Sequence, residues 1–229
     1  MPVIFNSTSH LKNSAASDRK RSERKRQYII AAEKIIREEG VCALSIRRIA
    51  AEMKCNSATL YNYFQDIDEL TLHATFRFRK DYLEAVAREV TADLDPLQQY
   101  IKLNEVYCRF AFDQPELYYN MYFGKYSRML DEVRKDYYTL FPEEMIPQVP
   151  LVEEMLAAQN VYQGDESICR RIAEAGFLRK DSIRQVANLI VRTHSSYMHD
   201  LMTFSHLEPD TLRQEFMDCL LDIIDHYSH

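Results

Sequence analysis

The stretch Ser45–Phe64, SIRRIAAEMKCNSATLYNYF, constrains this chain more than any other. Ile46, Ile49, Ala50 and Met53 recur at i, i+3, i+4 and i+7, which makes one apolar face of a short helix. Ser45 stands where a hydroxyl caps such a helix, and Arg47 and Arg48 fall off the apolar face. Lys54-Cys55-Asn56 then breaks the period, and Asn56 or Ser57 can cap a second helix. In that helix Leu60 and Phe64, four apart, face the core. Ala58, Thr59 and Asn62 project the other way, with Tyr61 and Tyr63 at the margins. A helix showing small and hydrogen-bonding side chains outward can enter the major groove of DNA with its first residues at base edges.

The flanks extend the pattern. Tyr28, Ala32, Ile35 and Ile36, with Ile29, form the buried face of a helix expected from near Arg24 to Glu39, with Gly40 as its C′ residue. Asp66 with Glu69 three later predicts an N-cap and capping box for a long helix carrying Leu70, Leu72, Phe76, Phe78, Tyr82, Leu83 and Val86. With these pieces in place, residues 24–72 resemble the DNA-binding domain of the TetR/AcrR family of bacterial transcriptional regulators. The matching parts are Ile35-Ile36 through Gly40, Ser45-Ile46-Arg47-Arg48-Ile49-Ala50, Thr59-Leu60-Tyr61-Asn62-Tyr63-Phe64, and Asp66 to Leu70. Two positions depart from the family pattern. Lys54 stands where the family usually has a turn Gly, and Ile67 where it usually has a phosphate-contacting Lys.

The resemblance implies an all-α fold. A disordered basic arm (1–23) would lead into a three-helix helix-turn-helix domain (24–70) and a larger helical ligand-binding and dimerisation domain (71–229). Composition agrees: Gly occurs only four times, good helix formers abound, and no alternating strand pattern is found. No apolar run approaches the length of a transmembrane helix, and no signal-peptide stretch opens the chain. Five scattered cysteines without a CxxC pair fit reduced thiols and a cytoplasmic protein. Cys55, in the turn, is read as packing in preference to a redox switch.

The net charge of −6 divides unevenly. Residues 1–80 hold 15 Lys/Arg against 9 Asp/Glu, or +6, and the remainder 14 against 26, or −12. The basic part coincides with the helix-turn-helix, as contact with double-stranded DNA requires. Residues 19–26, RKRSERKR, read equally well as a solvated tail or as an arm on phosphates. Ser45, Arg47, Arg48, Ser57, Thr59, Tyr61, Asn62 and Tyr63 are the DNA-contact candidates. Of these Arg47, Tyr61 and Tyr63 suit phosphates, and Ser57, Thr59 and Asn62 suit base edges.

Beyond Pro96, helices are expected to about Asp113, from Pro115 toward Leu140 with Gly124 as a break, on either side of Gly164, and over 182–205 and 210–227. Ser182 with Gln185 reads as a capping box. The last helix carries a stripe of Leu212, Phe216, Cys219, Leu220, Ile223 and Tyr227, and a second begun by Met217, Leu221 and Ile224. Two stripes need two partner surfaces. The resemblance implies that the second surface is a copy of the chain, in a homodimer through 182–205 and 210–227. It also implies a small-molecule pocket, for which Tyr107, Phe110, Tyr119, Tyr122, Tyr126 and His194 are candidates. Each aromatic alone is as well explained by core packing. His194, His199 and His206 lack metal-ligand spacing, no cofactor motif occurs, and no nucleophile or paired-carboxylate site points to an enzyme. The alternatives are a DNA-binding regulator controlled by a protein partner and, on a borrowed fold, an enzyme.

Overall fold

The computed structural model describes residues 7–228, with side-chain burial from residue 16 onward. Its described residues form eleven α-helices and short 3-10 turns, with no strand among them. The all-α expectation holds.

Helix α1 runs Ser7–Glu39. It therefore begins well before Arg24, and the segment expected as a disordered arm is helical from residue 7. The first six residues of that arm lie outside the described residues. The reason is local: residues 7–39 contain no Gly or Pro and are rich in Ala, Lys, Arg and Glu. Once the Tyr28–Ile36 face is packed, propagation into such a sequence is cheap. The helix ends at Gly40, whose φ of 85° suits the residue that has no Cβ.

Helices α2 (Ile46–Glu52) and α3 (Ser57–Leu60) follow, then α4 (Ile67–Glu89). Ile49, Leu60 and Phe64 are buried against Tyr28, Ile29, Ala32 and Ile35 of α1 in a continuous core. Removing the Phe64 ring from such a site costs roughly 3–5 kcal/mol. Helix α4 is buried along most of its length, from Leu70 to Val86, and packs on α1, α5, α6 and α7. It is the axis of the molecule.

The remaining helices are α5 (Pro96–Ala111), α6 (Pro115–Phe123), α7 (Leu130–Leu140), α8 (Pro150–Ala157), α9 (Val161–Glu174), α10 (Ile183–Thr203) and α11 (Pro209–Tyr227). Proline opens α5, α6, α8 and α11, where its missing N–H is not needed. Asp95 and Gln98 form a reciprocal capping box on α5. The box expected at Ser182 is not made, because the Ser182 hydroxyl donates to Arg179 O and Gln185 donates to the Tyr227 hydroxyl. Gly164 does not separate two helices; it lies inside α9, at its closest approach to Met155 of α8. In α11 the buried stripe is Leu212, Phe216, Leu220 and Ile224, an i+4 row that takes Ile224 from the second stripe to the core. Leu221 stays exposed, and Met217 and Ile223 are half-buried.

Candidate functional site

The helix-turn-helix is held by caps on both helices. The Ser45 hydroxyl accepts from Arg48 N at 3.1 Å, and the Asn56 side chain accepts from Ala58 N at 2.9 Å. Lys54 in the turn has φ 49°, the left-handed conformation that the absent Gly would adopt more easily. Cys55 packs with its Sγ 3.4 Å from the Tyr28 hydroxyl, half-buried. Helix α3 ends at Leu60, and residues 61–63 continue it as a turn.

This short unit sorts the contact candidates. Tyr61 is 58% exposed, and Asn62 and Arg47 are also exposed, so all three stand free on the surface. Ser57 and Thr59 are half-buried at the start of α3. Tyr63 is half-buried, its ring tilted against Tyr28 at 5.3 Å. Arg48 is placed differently from Arg47. It pairs with Glu39 at 2.6 Å and Glu52 at 3.1 Å and clamps α2 onto the end of α1. A phosphate would have to compete with two carboxylates for it.

The basic run on α1 is also divided. Lys25 reaches Asp136 at 2.8 Å, and Arg26 reaches Glu143 at 2.7 Å and the Leu140 carbonyl. Arg26 and Arg77 both lie over the ring of Phe141, at 4.3 and 4.9 Å from its centroid. These side chains hold the second domain. Arg21, one turn or more earlier, instead donates to Asn62 O at 3.2 Å. A groove lined by Ser17, Lys20, Arg21, Asn62 and Tyr63 runs beside the end of α3.

Asp66 joins the two halves. Its carboxylate accepts from the N–H groups of Asp68 and Glu69 at 3.0 and 3.1 Å, as an N-cap should. The reciprocal bond of the box is displaced by one residue, since Glu69 accepts from Gln65 N. The other Asp66 oxygen accepts from Lys125 at 2.5 Å and from the Tyr126 hydroxyl at 2.9 Å. Tyr126 is therefore a domain contact and not a pocket residue.

A cavity lies among α4, α5, α6, α7, α8, α9 and α10, with about 790 Å³ of space that no atom fills, part of it open to solvent at the mouth. Tyr107, Tyr122 and His194 line it, as expected. Phe110 and Tyr119 do not. Phe110 packs edge-on to Tyr82 at 5.9 Å and Tyr119 tilts onto Phe123 at 5.3 Å. The lining also includes Tyr82 and Tyr100, and the polar Arg79, Asn104, Arg134 and Asp165, which pattern reading did not single out. The polar members lay on helices whose apolar periodicity hid them. An Arg on the buried stretch of α4 was the available signal.

Most of the polar lining is internally matched. His194 Nε2 donates to Asn104 Oδ1 at 2.8 Å, and Asn104 Nδ2 donates to Tyr100 O at 2.9 Å. Burial holds the imidazole at about 3, so it is neutral and its Nδ1 is a buried acceptor without a partner. The Tyr100 hydroxyl donates to Asp165 at 2.9 Å. Burial pushes that carboxyl up to about 7, against the hydrogen bonds from Tyr100 and Cys169. Burial also raises the phenols of Tyr82, Tyr100 and Tyr107, which stay protonated.

These features define a class: an all-helical protein in which one long helix couples a helix-turn-helix unit to a cavity-bearing domain. Residues 29–74 match the family model described as bacterial regulatory proteins, tetR family. The HTH-type transcriptional regulator HbdR of Aromatoleum sp. (strain CIB) is 28% identical over 86 residues, which span 38% of this chain and 38% of that relative. Likeness to solved structures reaches further. FadR of Thermus thermophilus, a TetR family transcriptional repressor in complex with lauroyl-CoA, superposes with a TM-score of 0.55 at 15% identity, covering 86% of this chain and 93% of that one. SmeT, the repressor of the Stenotrophomonas maltophilia multidrug efflux pump SmeDEF, gives 0.52 at 17%, covering 90% of each. At these identities the likeness is one of fold.

Proposed function

We propose that the protein is a transcriptional repressor that binds a palindromic DNA operator as a homodimer and is released when a small molecule fills its cavity. One observation carries this reading. Helix α4 is capped at Asp66, directly after the reading turn, and its middle supplies Arg79 and Tyr82 to the cavity wall. Some 24 Å of continuous helix, at 1.5 Å per residue from Asp66 to Tyr82, spans both sites. A ligand that prefers a different setting of α4 moves the reading helices of the two subunits relative to fixed half-sites. It weakens DNA binding by its differential affinity for that setting. The acyl-CoA bound to Thermus thermophilus FadR supports a ligand-controlled reading for a chain of the same fold. Arg47 and Tyr61 serve phosphates in this reading, with Tyr63 behind them, and Ser57, Thr59 and Asn62 serve base edges.

The test is selection of DNA fragments by the purified protein from a random pool at near-physiological salt. An enriched inverted repeat is expected. Asn62→Ala should relax preference at one position of each half-site, while Tyr61→Phe should weaken all sequences alike. Enrichment of nothing beyond general, salt-sensitive binding would sink the reading.

A further inference from the structure

Arg79 is the one cation of the cavity lining that no carboxylate meets among the described residues. It stands in the middle of α4, 3% exposed, with its guanidinium carbon 5.2 Å from the centroid of the Phe76 ring. It forms no ion pair among the described residues, and its Nε is buried without a hydrogen-bond partner. A buried cation without a counter-ion is strongly unfavourable, so its retention in a cavity wall points to a counter-ion that arrives from outside.

The neighbouring charges do not fill that role. Asp131 is held by Arg134 and Lys135, each at 2.5 Å. Asp165 is engaged by the Tyr100 hydroxyl, and His194 is bonded to Asn104. Arg134 leaves its own Nε unpartnered, but its charge is already matched by Asp131. Asp165 accepts from a neutral hydroxyl and has no cation beside it, so Arg79 is the one cation of the lining without an ion-pair partner among the described residues. A planar guanidinium fork matches one carboxylate in two parallel hydrogen bonds. A phosphate dianion would bring a second negative charge with no cation to meet it. Apart from Asn160, whose side chain accepts from Gln163 N, the rest of the wall is apolar or aromatic.

We propose that the cavity takes a small monocarboxylic acid, its carboxylate on Arg79 and its apolar body among Tyr82, Leu103, Tyr107, Met155 and Val191. The acidity of the second domain does not argue for a cationic ligand, because the charge inside the cavity has the opposite sign. The proposal rests on reading the cavity as an effector site and names the effector's chemistry.

The experiment is isothermal titration of the full chain with octanoate and 4-phenylbutyrate, their methyl esters, octylamine and octanoyl-CoA. The acids are expected to bind roughly tenfold or more tighter than their esters, the range of a charge-assisted hydrogen bond. In Arg79→Met that preference should vanish, while ester affinity stays within about threefold, as expected where only the charged contact is lost. Ligand-free Arg79→Met should also melt higher than the parent, since an unpaired buried charge has been removed. If Arg79→Met does not fold, Arg79→Lys, which keeps the charge but not the fork, should retain a reduced acid preference. Equal binding of acid and ester, or preference for octylamine or octanoyl-CoA, overturns the Arg79 assignment and leaves the cavity as an effector site. A lower melting temperature for ligand-free Arg79→Met with the acid preference intact makes Arg79 structural and overturns it too. No binding by any probe at millimolar concentration overturns both readings.

Discussion

At Lys54 the backbone holds φ 49° on an exposed side chain, and two terms compete there. The left-handed conformation costs a residue with a Cβ about 1–2 kcal/mol, while glycine loses roughly 0.5–1 kcal/mol more chain entropy on folding. Lys54→Gly should therefore raise stability by up to about 1 kcal/mol, seen as a higher urea midpoint with an unchanged slope; a lower midpoint would show that the turn is not strained. Gly164 is the opposite case. Alanine there gains about 1 kcal/mol in helix propensity, but its Cβ would sit 3.0 Å from Met155 O and 3.2 Å from Met155 Cγ. Overpacking of that kind costs about 1–3 kcal/mol, so Gly164→Ala should melt lower than the parent, and a higher melting temperature would refute the tight contact. Sequence reading placed a helix boundary at Gly164 because glycine usually punctuates a pattern. The reason for it here is a neighbour eight residues or more away on another helix, which no local pattern displays. Lys54 was legible because its conformation is demanded by the turn itself. Arg79 was not, since a charged residue on an apolar helix face looks like a surface position until the helix is packed on all sides.

At the level of elements, α1 does two jobs that its composition does not separate. Its basic run reads as one electrostatic patch, yet Lys25 and Arg26 face Asp136 and Glu143 of the second domain while Arg21 faces the reading helix. The helical period decides which cation goes where, and the partners of Lys25 and Arg26 lie more than a hundred residues away. Asp136 shows what this tie does with pH. Burial works against its charge, but hydrogen bonds from His73 and Lys25 outweigh that and hold the carboxyl at about 2. A carboxylate whose folded pKa is below its unfolded value of roughly 3.9 stabilises above that value, and the contribution fades as pH falls from about 4 toward 2. Its side chain is 43% exposed, so solvent screens much of the effect. Urea unfolding at stepped acid pH should show the parent losing more stability over that window than Asp136→Asn. Parallel curves for the two would mean that the Lys25–Asp136–His73 cluster adds nothing to folding. The boundaries of α4, α5 and α11 were legible because caps and prolines announce them. The early start of α1 was not, since a polar sequence with good helix formers and no breaker reads as a tail until something packs against it.

For the whole molecule, the second apolar face of the terminal helices bears on assembly. Leu221 is 46% exposed and Leu189 37% exposed on α11 and α10, which supports a partner surface in the proposed dimer. Leu221→Arg should leave a folded chain that elutes as a monomer by light scattering and loses tight binding to an inverted repeat. A variant that stays dimeric would move the interface elsewhere. The helix-turn-helix was legible because its period, caps and turn are local, though its second helix ends at Leu60 and not at Phe64. The cavity was legible only as an aromatic cluster, because its walls come from seven helices and its unpaired guanidinium from one of them. One further consequence concerns Asp66, whose two oxygens cap α4 and receive Lys125 and Tyr126 from the far domain. Anyone building hybrid regulators would cut such a chain between reading head and sensor, near residue 66. This molecule has no clean seam there: a graft that keeps Asp66 but replaces Lys125, Tyr126, Asp136 and Glu143 exchanges the sensor and uncouples the head in the same stroke. The exchangeable module is the head together with the four side chains it stands on.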